Sequence, residues 1–181
     1  MKRRIVNSMI LGAAAALLGA SSLMANDDGD RDRGHDRGKF LVRAELIGYQ
    51  EVPALSTTAS GRFRAWVDTE ANTITYKLSY EALEGTVQQS HVHFGQKSVN
   101  GGVSFFLCSN LGNGPVGTQA CPPPPAEITG VITPDLVIGP LGQGIEAAAF
   151  AEIVAAMRDG TAYANVHSTK WPGGEIRGQL H

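Results

Sequence analysis

The segment SHVHFG, residues 90–95, sets His91 and His93 two residues apart in a strand-like context. At the period of two that a β-strand imposes, both imidazoles project from one face while Val92 and Phe94 take the other. Near the C-terminus, Tyr163, Asn165 and His167 share one strand face, and Ala162, Ala164 and Val166 share the opposite one. Neutral imidazole is a ligand for copper and zinc, and three of them with an open position suit either ion. If the two strands are neighbours, His91, His93 and His167 converge, and His181 at the chain end is a candidate fourth donor. The competing reading makes the three histidines hydrogen-bonded residues of a polar sheet face, in a surface network with Asn165, Glu175 and Arg177. Glu175, Arg177 and Gln179 alternate on one side of the last strand, a spacing that permits such pairing. Spacing alone does not establish that the strands adjoin, so both readings stand.

The elements that would position these residues are short strands. Phe40, Val42, Ala44 and Leu46 alternate with Leu41, Arg43, Glu45 and Ile47, as expected of a strand with one buried face. Residues 61–80 read as a hairpin: Phe63, Ala65 and Val67 share one face, turn residues occupy 68–72, and Ile74, Tyr76, Leu78 and Tyr80 follow on one face. Further strands are predicted over 86–94, 102–107, 127–132, 161–168 and 174–180. The 22 glycines and 9 prolines agree with many turns. The expected fold is an all-β, Greek-key-like antiparallel sandwich or barrel of about eight strands. One stretch breaks the pattern. Residues 145–158, IEAAAFAEIVAAMR, carry strong helix formers with Phe150, Val154 and Met157 on one stripe. A single helix near the C-terminus is predicted there, with Gly160 at the position of a helix-ending glycine.

The N-terminus reads as an address. Lys2, Arg3 and Arg4 precede an apolar run from Met9 to Ala20 and then small residues up to Ala25, the layout of a secretory signal peptide. Residues 26–38 follow as a charged linker without large apolar side chains, which cannot bury enough surface to order itself. The folded domain is expected over 39–181, without a transmembrane anchor once the leader is cleaved, in the periplasm or outside the cell. The two cysteines, Cys108 and Cys121, flank a Gly-rich loop and are expected to form a disulfide in an oxidising compartment. Four prolines at 122–125 then favour an extended segment that cannot join a central strand.

Several functions are disfavoured. Net charge is −2, with no dense basic stripe, which argues against nucleic acid. No serine sits in a nucleophile elbow and no lysine follows a glycine-rich phosphate loop. Among the carboxylates of the folded region no pair stands out as an acid/base couple.

Three stretches carry a family resemblance. The C-terminal YANVHSTKWPGGEIRGQL, residues 163–180, is very similar to the NVH…PGGEIRGQ ending of CHRD (chordin-repeat) domains. The HVHFG stretch, 91–95, resembles the middle motif of that family, and LIGYQEVPALSTTASG, 46–61, resembles its opening motif. The resemblance covers about residues 39–181 and implies an extracytoplasmic all-β domain, without supplying an enzymatic activity. A shorter likeness links HVHFG to the copper strand of copper–zinc superoxide dismutase, and it implies His91, His93 and His167 as copper ligands. No histidine lies between residues 95 and 165, so the zinc loop and bridging histidine of that family have no counterpart here. The first expectation is therefore an exported, non-catalytic binding or structural module whose partner is a protein or cell-envelope component. The alternative is a copper- or zinc-binding, or copper-redox, protein built on the three histidines.

Overall fold

In the computed structural model, the described residues are Gly38–His181. The expected leader and all of the linker but Gly38 lie outside them. Eight antiparallel strands follow in chain order: β1 (Lys39–Ile47), β2 (Ser60–Asp68), β3 (Thr73–Glu81), β4 (Val87–Phe94), β5 (Gly102–Ser109), β6 (Ala126–Ile132), β7 (Ala162–Ser168) and β8 (Ile176–Gln179). One α-helix among the described residues, α1 (Phe150–Asp159), precedes the last two strands. The strands form one sheet in the order β5-β4-β7-β8-β1-β2-β3-β6, rolled into a nearly closed barrel.

The alternation in sequence becomes inside and outside. Val42, Ala44 and Leu46 of β1, Phe63, Ala65 and Val67 of β2, and Ile74, Tyr76, Leu78 and Tyr80 of β3 are all buried, while their neighbours point outward. Each large aliphatic side chain removed from water contributes roughly 1.5–3 kcal/mol, which pins the register of these strands. The turn between β2 and β3 is local chemistry: Asp68 Oδ1 accepts from the backbone N–H groups of Glu70 and Ala71 at 3.1 and 2.9 Å, and Asn72 adopts φ 52°.

The two edge strands, β5 and β6, are joined by side chains and by the loop between them. Tyr76 Oη donates to the Leu107 carbonyl at 2.6 Å. Gln119 donates through Nε2 to Tyr76 Oη and to the Thr129 carbonyl of β6, while its own carbonyl accepts from Ser109 N–H of β5. The Cys108–Cys121 disulfide ties the base of this loop, as expected. In the chain-entropy view, a crosslink of this span contributes about 3 kcal/mol. The prolines deliver the chain to β6, an edge strand.

The helix is shorter than its composition predicts, beginning at Phe150 rather than Ile145. Residues 145–149 are captured by their surroundings. Ile145 is buried and its N–H donates to Pro140 O, Ala148 N–H donates to Val137 O, and Ala148 takes φ 64°. Tertiary hydrogen bonds thus outweigh the helix preference of three consecutive alanines. The C-terminus ends as expected, with Gly160 in the left-handed region at φ 73°. Phe150, Ile153, Val154 and Met157 form the buried stripe.

Candidate metal centre

Strands β4, β7 and β8 are consecutive in the sheet, and their register aligns the residues singled out by spacing. His91 faces Asn165, which faces Arg177; His93 faces Tyr163, which faces Gln179. The intervening Val92, Ala164 and Gly178 form the next rung, with Val92 and Ala164 in the apolar core. The chemistry-bearing side chains therefore lie on the face opposite the core. Yet His91, His93, Asn165, His167, Glu175 and Arg177 are all buried. Arg177 fastens the segment 95–101 beside them, and Asn100 Nδ2 donates to Val52 O to join that segment to the β1–β2 connection.

One potential ligand nitrogen from each of His91, His93 and His167 lies within 4.8 Å of the others. His91 Nδ1 is 3.2 Å from His167 Nε2. The outer nitrogens of the other two rings are fixed by backbone: His93 Nδ1 lies 2.9 Å from the Gly101 carbonyl and His167 Nδ1 lies 2.9 Å from the Pro172 carbonyl. A carbonyl only accepts, so both Nδ1 atoms carry the proton and, in the neutral rings, both Nε2 atoms present lone pairs. His167 Nε2 also lies 3.1 Å from the Asn165 side-chain amide, which must then turn its nitrogen toward the ring. A backbone carbonyl behind a ligating imidazole is a common way of fixing its tautomer and orientation. Metal–nitrogen bonds of about 2 Å in a tetrahedral or trigonal arrangement set ligand nitrogens about 3.3–3.5 Å apart, so nitrogens 4.8 Å apart would have to close by up to about 1.5 Å.

Burial keeps the rings neutral. Desolvation, reinforced by His167 and His93, pushes His91 down to about 2. Desolvation takes His93 to about 4, opposed by the Gly101 carbonyl, and it also lowers His167 against the Pro172 carbonyl. The ring of Tyr163 stacks on His93 at 4.7 Å between centroids, and the Arg177 guanidinium lies 3.4 Å from the centroid of Tyr163. The cation is held by the aromatic face and by hydrogen bonds to Gln96 O, Val99 O and Asn100 Oδ1. Arg177 thus clamps the segment whose last carbonyl, at Gly101, orients His93.

Two expectations need correction. Glu175 and Arg177 were expected in a surface network and are instead almost wholly buried, at 0% and 1% exposure. They also form no ion pair with each other among the described residues. Glu175 Oε1 accepts from Thr57 Oγ1 at 2.9 Å and from Glu84 N–H at 2.7 Å, tying two connections to the start of β8. Folding places other segments over this sheet face, so alternation correctly assigned its side but not its exposure. His181 is also separated from the cluster: it is exposed and exchanges backbone hydrogen bonds with Arg43 on β1.

One residue of this layer escaped sequence reasoning. Glu51 is buried, and desolvation raises its carboxyl to about 7, with the Arg177 charge, the Val52 N–H and the Asn165 amide pulling the other way. Gly174, at φ 129°, leaves room for it: a Cβ there would sit 2.5 Å from Glu51 Oε1. Glu51 and Gly174 lie in the first and third of the stretches that carry the family resemblance, but their contact joins residues more than a hundred positions apart.

A protein-family model for the CHRD domain matches residues 42–180. The chain belongs to the CHRD-domain family. No curated protein and no solved structure matches it. The three stretches that carry the resemblance meet in this polar layer: Glu51 from the first, His91 and His93 from the second, and Asn165, His167, Gly174 and Arg177 from the third. The CHRD domain also leaves its buried unpartnered polar atoms here. Six such side-chain atoms occur among the described residues, and all but Ser104 Oγ belong to Glu51, His91, His93, Glu175 and Gln179. Buried polar atoms normally find partners, so this concentration calls for an explanation.

Proposed function

We propose that this CHRD domain is an exported metal-binding module that holds copper, or zinc, on His91, His93 and His167. The observation that carries the reading is the set of three neutral, buried imidazoles with ligand nitrogens within 4.8 Å, in which His91 Nε2 has no hydrogen-bond partner. A purely structural histidine network is expected to pair such an atom, because an unsatisfied buried group costs about 1–3 kcal/mol. Three nitrogen donors suit copper first and zinc second. Export is supported by the disulfide and by the leader-like N-terminus, and both agree with the extracytoplasmic setting that the family implies. Among the described residues no helix is long and apolar enough to cross a membrane.

Metal analysis of the protein purified from its native compartment tests this, together with calorimetric titration of copper and zinc into chelator-treated protein. The expected result is one ion per chain. Both occupancy and heat should be lost in the His91→Ala/His93→Ala variant while its circular dichroism is retained. His167→Gln, which preserves volume and polarity, guards against loss through misfolding and is expected to weaken binding by at least about tenfold. Absence of metal in the purified protein together with no binding on titration would overturn the reading. The domain would then stand as a non-catalytic module whose histidines are structural and whose partner is a protein or cell-envelope component.

A further inference from the structure

The outward face of β1, β2, β3 and β6 is open to solvent, and its charges fall in rows across the strands. One row places Arg43 opposite Arg64 and Arg64 opposite Lys77. Neighbouring strands are about 4.8 Å apart, so three cations stand side by side. Like charges directly opposite destabilise a sheet. Other rows show how this face otherwise matches charge: Arg62 with Glu45 at 3.3 Å in the row on one side, and Lys39 with Asp68 at 3.1 Å two rows away on the other. Lys77 leans to Glu127 at 2.8 Å. Arg43 and Arg64 have no ion pair among the described residues, on a chain whose net charge is −2.

The next row is apolar. Leu41 pairs with Trp66, Trp66 with Thr75, and Thr75 with Val131. Trp66 is 47% exposed, and Leu41 and Val131 are equally open. A concavity of about 400 Å³ lies beside the indole, lined by Leu41, Asp68, Thr73 and Thr75. A second, of about 270 Å³, is lined by Arg43, Arg62, Arg64 and His181, and by Glu45, which is paired with Arg62. The apolar and cationic rows are two residues apart along each strand, about 7 Å.

We propose that this face binds an acidic polysaccharide through its carboxylates. A sugar ring laid with its C–H face on Trp66 would direct a carboxylate across that interval onto the guanidinium groups of Arg64 and Arg43. Guanidinium pairs with carboxylate through two parallel hydrogen bonds and is the residue suited to that geometry. Strands β2 and β3, which carry Arg64, Trp66 and Lys77, are hydrogen-bonded to a strand on each side, so recognition at these residues comes from side chains rather than from backbone pairing. The surface is distinct from the histidine layer and does not depend on metal.

The test is titration of the chain with galacturonate oligomers of defined length, followed by calorimetry and tryptophan fluorescence. Neutral dextran, polyglutamate and single-stranded DNA serve as comparators. The galacturonate oligomers are expected to bind, with affinity falling as salt is raised and at least about tenfold above every comparator. Arg43→Gln/Arg64→Gln should reduce affinity about tenfold or more, and Trp66→Ser about fivefold, with the melting temperature slightly raised in the first, where a like-charge pair is removed, and nearly unchanged in the second. Absence of galacturonate binding at low ionic strength would overturn the proposal. So would equal binding of polyglutamate or DNA, or galacturonate binding that survives both variants.

Discussion

Two regions of the same outer surface meet opposite fates. Over β4, β7 and β8 the outward side chains are covered by connections and include neutral histidines and the buried Arg177 and Glu175. Over β1, β2 and β3 the outward side chains remain in water, and their charges are mostly matched across strands at the surface. Both regions obey the same period-two rule, with apolar residues facing the core. Exposed charges cost little to keep, whereas buried ones impose a penalty that must be offset by hydrogen bonds or by a ligand. The covered region therefore concentrates both cost and chemistry, and the open region keeps its polar groups free to meet a partner.

Acid should separate the regions most sharply. The three histidines have lowered folded-state values, so their contribution is present above the unfolded value of 6.5 and is lost as pH falls toward about 4 for His93 and about 2 for His91. Glu51 has the opposite sign: its value rises from 4.5 to about 7, so its contribution is complete below 4.5 and is lost as pH rises through 7. Between pH 6.5 and 4.5 the unfolded chain takes up as many as three histidine protons while the folded chain already holds the one on Glu51. The metal-free domain should therefore lose stability by about 3 kcal/mol per pH unit at the steepest, measured by urea unfolding across that window. Glu51→Gln should steepen the loss, because the opposing group is gone. A flat profile would show that the covered layer is no drier than the open face.

Removing the clamp comes next in size. Arg177→Ala should destabilise by about 3–5 kcal/mol, since its buried hydrogen-bond acceptors lose their donor, and should also weaken metal binding through the Gly101 carbonyl. Breaking the crosslink with Cys108→Ser/Cys121→Ser should cost about 3 kcal/mol and leave metal affinity unchanged, because that tie lies at the β5–β6 junction. Copper at a hundred times its dissociation constant should stabilise the wild type by about 2.7 kcal/mol, and His167→Gln much less. Substitutions on the open face, Trp66→Ser or Arg64→Gln, should stay within about 0.5 kcal/mol in the same assay.

The strands were legible because their pattern is a direct image of burial. β1, β2 and β3 have one apolar face each, and no other register keeps Leu46, Phe63, Ile74 and Leu78 out of water. The disulfide and the C-terminal glycine of α1 were equally local, resting on one loop and one backbone conformation. The first turn of that helix was misread because the backbone N–H groups of Ile145 and Ala148 bond to residues 140 and 137. Propensity contains no term for a partner so placed.

The candidate site divides along the same line. Its six-residue motif determined that His91 and His93 share a face, since a strand admits no other arrangement, and the later alternation placed Asn165 beside His167 in the same way. Only the tertiary structure decided that β4 adjoins β7, that the segment 95–101 is fastened beside the cluster, and that Glu51 reaches the space left by Gly174. Periodicity reports which side of a sheet a residue occupies, because that follows from covalent geometry. Which strands pair, and whether a sheet face is left open or covered, depends on contacts between residues distant in the chain, and no local pattern records them.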